Sequence, residues 1–385
     1  GVEIDGFWVG KYQTSHYNGR AYSLPGENPA NTAGLDTFVS YNRAKGGKFH
    51  EITCAEWAAI ALWCHKAGKE PYGNNNYGKD TRESLYRAIP TSKDNDKTGR
   101  VATGTGPVTW SHDGTLEGIW DLNGNVWEWC AGLRLVKGEV QVIADNNAAA
   151  PTCDMSASSA AWKAISAATG ELVAPDGNGT TQGTVKLDFI SGKWTYSTTI
   201  AHTTGANGCS FKDVTCDSSI GAAAKLLLQA LAMLPDAALT GDGIDATYGG
   251  DYFYANNAEA ERCLIRGGGW SGGGRAGVFN SGLSNPRSNA NGYIGGRSAF
   301  RLLNANLGRW FCAARGLWPT GYSRKCRLKG ACFRSRLDRV GKNLYCRGGG
   351  NATHGLERLL DETLSAGNDG DSKRLAGGVQ FWLAD

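Results

Sequence analysis

The spacing of apolar and polar residues changes several times along the chain, and each change predicts a different kind of element. Thr53 and Glu56 place a hydroxyl and a carboxylate three residues apart, ready to satisfy the orphan amides of a first helical turn. Apolar residues follow, and Gly68 suits the end, so the pattern predicts a helix over 54–67. Asp80 and Glu83, followed by Leu85, Tyr86 and Ile89 and stopped by Pro90, predict a second, shorter helix. Helical spacing recurs over 158–168 and 221–234, while the Gly- and Thr-rich stretch from Gly183 to Tyr196 predicts strands. Between Thr103 and Trp129, the turn pairs Asp113-Gly114 and Asn123-Gly124 punctuate text suited to short strands of an irregular sheet. Residues 265–301 have apolar ends around a small, polar centre, which is expected to stay out of the core. No internal repeat is found.

Composition narrows this picture. A chain of 385 residues, 41% apolar, can bury one large core or two ordinary ones, and its length suggests two or three domains. With 55 Gly and 13 Trp against 10 Pro and 2 Met, a loop-rich fold anchored by aromatic residues is expected. The greasiest stretch, Ala222 to Leu234, contains Lys225 and Gln229 and stops at Pro235, so no membrane span is expected. The chain opens at Gly1 on strand-like text, which is compatible with a longer N-terminus. Eleven scattered cysteines read as reduced and packed. Cys54 with Cys64, and Cys326 with Cys332, lack the paired spacing of a zinc site. Charge is unevenly spread: residues 1–300 hold 25 Lys/Arg against 29 Asp/Glu, and residues 301–385 hold 15 against 7. The tail, 304–385, is therefore read as a basic, Cys-containing segment without a continuing sheet. Either it contacts nucleic acid or an anionic surface through phosphates, or it is translated read-through. Asn351-Ala352-Thr353 matches a glycosylation site in letters only.

Three segments in order then carry a resemblance. They are Ile4–Tyr12 (Ile-Asp-Gly-Phe-Trp-Val-Gly-Lys-Tyr), Gly118–Trp129 (Gly-Ile-Trp-Asp-Leu-Asn-Gly-Asn-Val-Trp-Glu-Trp), and Arg266-Gly-Gly-Gly-Trp270 closing with Gly295-Gly-Arg-Ser-Ala299. Together they resemble the formylglycine-generating-enzyme-like branch of C-type lectin folds. The resemblance implies an α+β domain over 1–303, with irregular antiparallel sheets and flanking helices. The stretches 132–143 and 154–165 look like the insert of variable proteins from diversity-generating retroelements, which implies an insert over 130–262 and a variable region over 265–301.

In such systems, adenines of a template are miscopied, so Asn codons of the form AAC become other codons. Gly269, Ser271, Gly272, Arg275, Gly282, Ser284, Gly292 and Tyr293 are all reachable from AAC in this way, and Gly274 from a serine codon AGC. Asn280, Asn285, Asn289 and Asn291 stand as unchanged template residues, and the segment contains no Lys, Glu, Gln or Met. Gly269, Ser271, Gly272, Gly274, Arg275, Asn280, Gly282, Ser284, Asn285, Asn291, Gly292 and Tyr293 are thus the expected ligand-contacting positions. Trp270, Ala276, Val278, Phe279, Leu283, Pro286 and Arg287 are the expected fixed scaffold. Tyr, Ser, Gly, Asn and Arg are also the residues of antibody-type paratopes, with Tyr293 and Arg275 as anchors here. The resemblance implies a protein or carbohydrate ligand on a target surface, several copies acting together, and a place on a phage virion or bacterial surface.

An oxygen-dependent modifying enzyme of the same fold is the alternative. Catalytic members use copper-binding cysteines just after the Arg-Gly-Gly motif, where this chain has Ser271, Gly272, Gly273 and Gly274. Gly269-Trp-Ser271-Gly-Gly273 matches a serine-hydrolase elbow in letters, but glycines follow where a helix is needed. No catalytic residue and no required cofactor are therefore expected. The resemblance does imply a possible structural calcium, held by the side chains of Asp121 and Glu128 and the carbonyls of Gly124 and Val126.

Overall fold

The computed structural model describes residues 6–236, 248 and 250–301, and the backbone of 378–381. These residues lie in one compact unit. The remainder of the basic tail lies outside the described residues.

The unit is a mixed α+β structure, mostly sheet. Its main elements are β1 (Phe7–Gly10), α1 (Leu35–Arg43), β2 (Phe49–Glu51), α2 (Cys54–Lys66), β3 (Trp127–Val136), β4 (Glu139–Ile143), β5 (Trp162–Ile165), β6 (Lys186–Ile190) and β7 (Lys193–Ser197). There follow β8 (Asn207–Ser210), α3 (Ala222–Ala230), β9 (Tyr252–Ala255), β10 (Arg262–Arg266), β11 (Ser281–Asn285), β12 (Ile294–Gly295), β13 (Ser298–Arg301) and β14 (Gly378–Phe381). The larger sheet runs β8-β9-β11-β10-β3-β4-β6-β7 and is extended by shorter strands; the smaller runs β14-β1-β13-β2. Among the described residues neither sheet closes into a barrel.

Local chemistry explains several elements. At α2, Thr53 accepts from the Glu56 amide and Glu56 accepts from the Thr53 amide, the reciprocal cap expected from the sequence. Gly68 follows with a positive φ of 63°. β6 and β7 lie where strands were expected between Gly183 and Tyr196 and pair as a hairpin, turning at Ser191 and Gly192. Trp194 and Tyr196 lie in the same apolar cluster as Phe7, Trp57, Leu133 and Phe253. The 130–262 stretch therefore adds strands to the sheet and side chains to its core.

Three expectations are corrected. Residues 80–90 form turns, because the buried Asp80 carboxylate accepts from the amides of Gly73 and Arg82 and from the Asn75 side chain. Side-chain capture of backbone donors competes with a helix. Leu85, Tyr86 and Ile89 are left exposed on the loop. Within 158–168, β5 forms in place of a helix, since Trp162–Ile143, Lys163–Val142 and Ala164–Gln141 pair across to β4. Between 103 and 126, the expected short strands reduce to isolated bridges such as Ser111–Trp120. In addition, 378–381 pairs with β1, so the tail does contribute one strand.

Candidate functional site

Two fully buried arginines hold the ends of the segment between β10 and β13. Arg266 donates to the carbonyls of Leu231 (2.8 Å) and Ala232 (3.0 Å), just past α3, and to the Ser281 hydroxyl (2.5 Å). The Leu231 carbonyl, at the C-cap, belongs to the negative end of the α3 dipole, so a guanidinium is well placed there without a carboxylate partner. At the other end, Arg297 forms a two-pronged contact with Glu128, Nε to Oε2 and Nη2 to Oε1, both 2.7 Å. It also donates to Gly10 O and Trp120 O, each at 2.9 Å. Such planar bidentate pairing fixes orientation as well as distance.

Between these clamps the backbone leaves the sheet and returns. Gly267 and Gly268 have φ near +88° and +85°, and a Cβ on Gly268 would lie 2.5 Å from Ala276 Cβ. Only glycine meets both demands. A tight turn at 272–275 then exposes Arg275, and Ala276, Val278 and Phe279 re-enter the core, Phe279 stacking on Phe211 at 5.1 Å. Buried Asp251 accepts from the Phe279 amide, and burial pushes its carboxyl well above the usual range. The expectation that the whole centre stays out of the core is therefore corrected: 276–283 is interior, and β11 is an internal strand of the sheet.

The scaffold residues divide likewise. Ala276, Val278, Phe279 and Leu283 are buried. Arg287 binds both oxygens of Glu261 (2.7 and 2.9 Å) and reaches Asp36. Trp270 is half-buried, held by its indole N–H to Asp94 (2.9 Å) and by its carbonyl, which accepts from Tyr77 N (2.8 Å). Pro286 is exposed.

Of the positions expected to contact ligand, Ser271, Gly274, Arg275, Asn291 and Tyr293 are exposed, and Gly272, Ser284, Asn285 and Gly292 half-buried. Gly269, Asn280 and Gly282 are buried, which corrects their assignment as contact residues. A Cβ on Gly269 would lie 3.3 Å from Trp127 Cδ1, and one on Gly282 would lie 2.7 Å from Ile265 and 3.3 Å from Trp127 Cζ3. Both glycines thus let the Trp127 ring settle onto the sheet. Asn280 donates to the Arg275 carbonyl and ties the exposed turn to β11.

Trp127, half-buried, connects the two exposed turns: its ring lies against Gly269 and its amide donates to Tyr293 O at 2.9 Å. Arg100 donates to Gly292 O (2.8 Å), and Asn291 donates to the Tyr293 hydroxyl (2.8 Å). No hydrogen bond joins the 271–275 turn to the 291–293 turn among the described residues. Arg275 lies 4.6 Å over the Tyr252 ring, and Tyr252 stacks with Tyr254 at 6.1 Å. Trp127, Tyr252, Tyr254 and Arg100 therefore border the positions expected to vary. The alternation Tyr252-Phe253-Tyr254, with Phe253 inward, is the signal that could have found two of them.

The four residues expected to hold calcium do converge, with a difference. Glu128 Oε1 and the carbonyls of Gly124, Val126 and Asp121 all point at the Gln13 side-chain nitrogen. Asp121 contributes its carbonyl, while its carboxylate accepts from the Gly104 amide at 2.8 Å. Burial raises the Asp121 carboxyl to about 6. With a donor group at the point of convergence, this arrangement does not fit calcium.

Ser271 sits in a glycine turn followed by a three-residue 3-10 turn, Gly273–Arg275, without the helix of a hydrolase elbow. Cys54 and Cys130 are buried in the core, and burial pushes both thiols up. Among the described residues no helix is long and apolar enough to cross a membrane. The sequence matches no family model and no curated protein.

Proposed function

We propose that this chain is a ligand-binding protein with a C-type lectin fold of the formylglycine-generating-enzyme-like type, diversified by retroelement mutagenesis over 265–301 and displayed on a phage tail or bacterial surface. The observation that carries the reading is the division of labour within one segment. Its ends are clamped by buried Arg266 and Arg297, its apolar residues Ala276, Val278, Phe279 and Leu283 are interior, and Ser271, Gly274, Arg275, Asn291 and Tyr293 face solvent. A surface meant to vary needs this separation, because exposed substitutions usually change stability by less than about 0.5 kcal/mol.

The binding face combines a variable rim with a fixed aromatic border. Ser271, Arg275, Asn291 and Tyr293 form the rim; Trp127, Tyr252 and Tyr254 supply rigid contact area at low entropic cost. Three variable positions act from beneath: residues 269 and 282 set how the Trp127 ring is presented, and Asn280 holds the Arg275 turn. The test is a displayed library randomised at 271, 274, 275, 291 and 293 and selected on bacterial cells of several strains. The reading expects most members to remain protease-resistant and different strains to enrich different members. Loss of resistance across the library would contradict it.

A further inference from the structure

Four oxygens surround one amide nitrogen in the interior. Gln13 Nε2 lies 2.9 Å from Val126 O, 3.0 Å from Glu128 Oε1, 3.2 Å from Asp121 O and 3.4 Å from Gly124 O. One carboxylate from the start of β3 and three carbonyls from the turn before it are the donor set that a hard cation selects. The backbone explains why they gather: Asp121 and Asn125 have φ near +61° and Gly124 near +78°, so the turn folds its carbonyls inward.

The neighbours fix which end of the Gln13 amide faces this cluster. The Val101 N–H donates to Asn125 Oδ1 at 2.9 Å, so Asn125 must present its NH2 group to Gln13. Gln13 meets it with Oε1 at 2.9 Å, which turns its own NH2 toward the four oxygens. Two protons then serve four acceptors, the shortest contacts being to Val126 and Glu128. The charge on Glu128 is met separately by Arg297, whose Nη2 also reaches Asp121 O at 3.4 Å.

We infer that Gln13 and Arg297 together take the place of a structural cation: the amide fills its position and the guanidinium supplies its charge. Calcium needs about 2.3–2.6 Å to each oxygen, inside the space the amide occupies, so ion and amide are alternatives. The turn that leads into β3, and with it Trp127, is therefore built without metal. Because Arg297 is also the far clamp of the variable segment, one buried group serves both tasks.

The full chain is melted in EDTA and in millimolar CaCl2. The inference expects the two melting temperatures to agree within about 1 °C, whereas an ion bound at a hundredfold excess over its Kd would raise the value by several degrees. A calcium-dependent rise of that size in the unmodified chain overturns the inference, and this reading does not depend on any variant folding. Gln13→Glu gives the converse test by restoring an all-oxygen centre. It is expected to melt lower than the parent in EDTA and to regain several degrees with calcium. A Gln13→Glu chain that folds and ignores calcium would show that the amide does not stand at a cation position.

Discussion

Arg297 and Glu128 face each other with two parallel contacts of 2.7 Å, both side chains withdrawn from solvent. Removing one partner of such a pair leaves a buried charge without compensation, which typically costs about 3–5 kcal/mol. Arg297→Met is therefore expected to lower the unfolding free energy by about that amount in urea titration. A loss below about 1 kcal/mol would show that the far end of the segment is held by something else.

Arg266 has carbonyl and hydroxyl partners rather than a carboxylate. Arg266→Met keeps the volume and leaves the Leu231 and Ala232 carbonyls unpaired, at about 1–3 kcal/mol. Amide exchange should also quicken at the end of α3. Unchanged exchange there would contradict the dipole-capping role.

At the exposed rim the expectation reverses. Arg275→Ala and Tyr293→Ala should each change stability by less than about 0.5 kcal/mol. Trp270, half-buried and held by polar contacts, should cost less on truncation than the about 3–5 kcal/mol of a core aromatic. Calorimetry checks all three, and a large loss for Arg275→Ala or Tyr293→Ala would remove them from the surface.

Asp251 gives a pH dependence of definite sign. Its carboxyl stays protonated well above the unfolded value of 3.8 because it is buried, with Glu70 nearby adding repulsion. Above pH 3.8 the unfolded chain releases a proton that the folded chain keeps, so this group's contribution weakens as pH rises. Asp251→Asn should flatten that part of the stability–pH curve. An unchanged slope would mean that Asp251 ionises freely in the fold.

Gly282 and Gly269 lie under Trp127. Gly282→Asn should lift the indole, costing about 1–3 kcal/mol through overpacking. Fluorine labelling of tryptophan would show one resonance, assigned with Trp127→Phe, moving toward its solvent-exposed position. No movement would deny the presenting role of residue 282.

Sequence alone revealed some of this architecture. The cap at Thr53 and Glu56 and the strand character of 186–197 were legible because short-range chemistry decides them, although the hairpin that joins the two strands was not read. The helix expected at 80–90 failed because the Asp80 carboxylate binds the Gly73 amide and the Asn75 side chain, which nothing in local spacing announces. Residues 162–165 became a strand because β4 offers an edge. At the candidate site, exposure of Arg275 and Tyr293 followed from polarity, whereas the burial of Gly282 depends on pairing with Ile265 from another strand. The place of Gln13 was hidden for the same reason: its partners lie more than a hundred residues away.

Diversification of the segment after Arg266 for binding is tested by deep sequencing of the gene and its flanks in a population grown from one clone. Changes are expected only at adenines of codons between 269 and 293, dense at 271, 274, 275, 291 and 293, with a near-identical repeat and a reverse-transcriptase gene nearby. A segment as invariant as the codons of Phe279, Leu283 and Arg297 would contradict it.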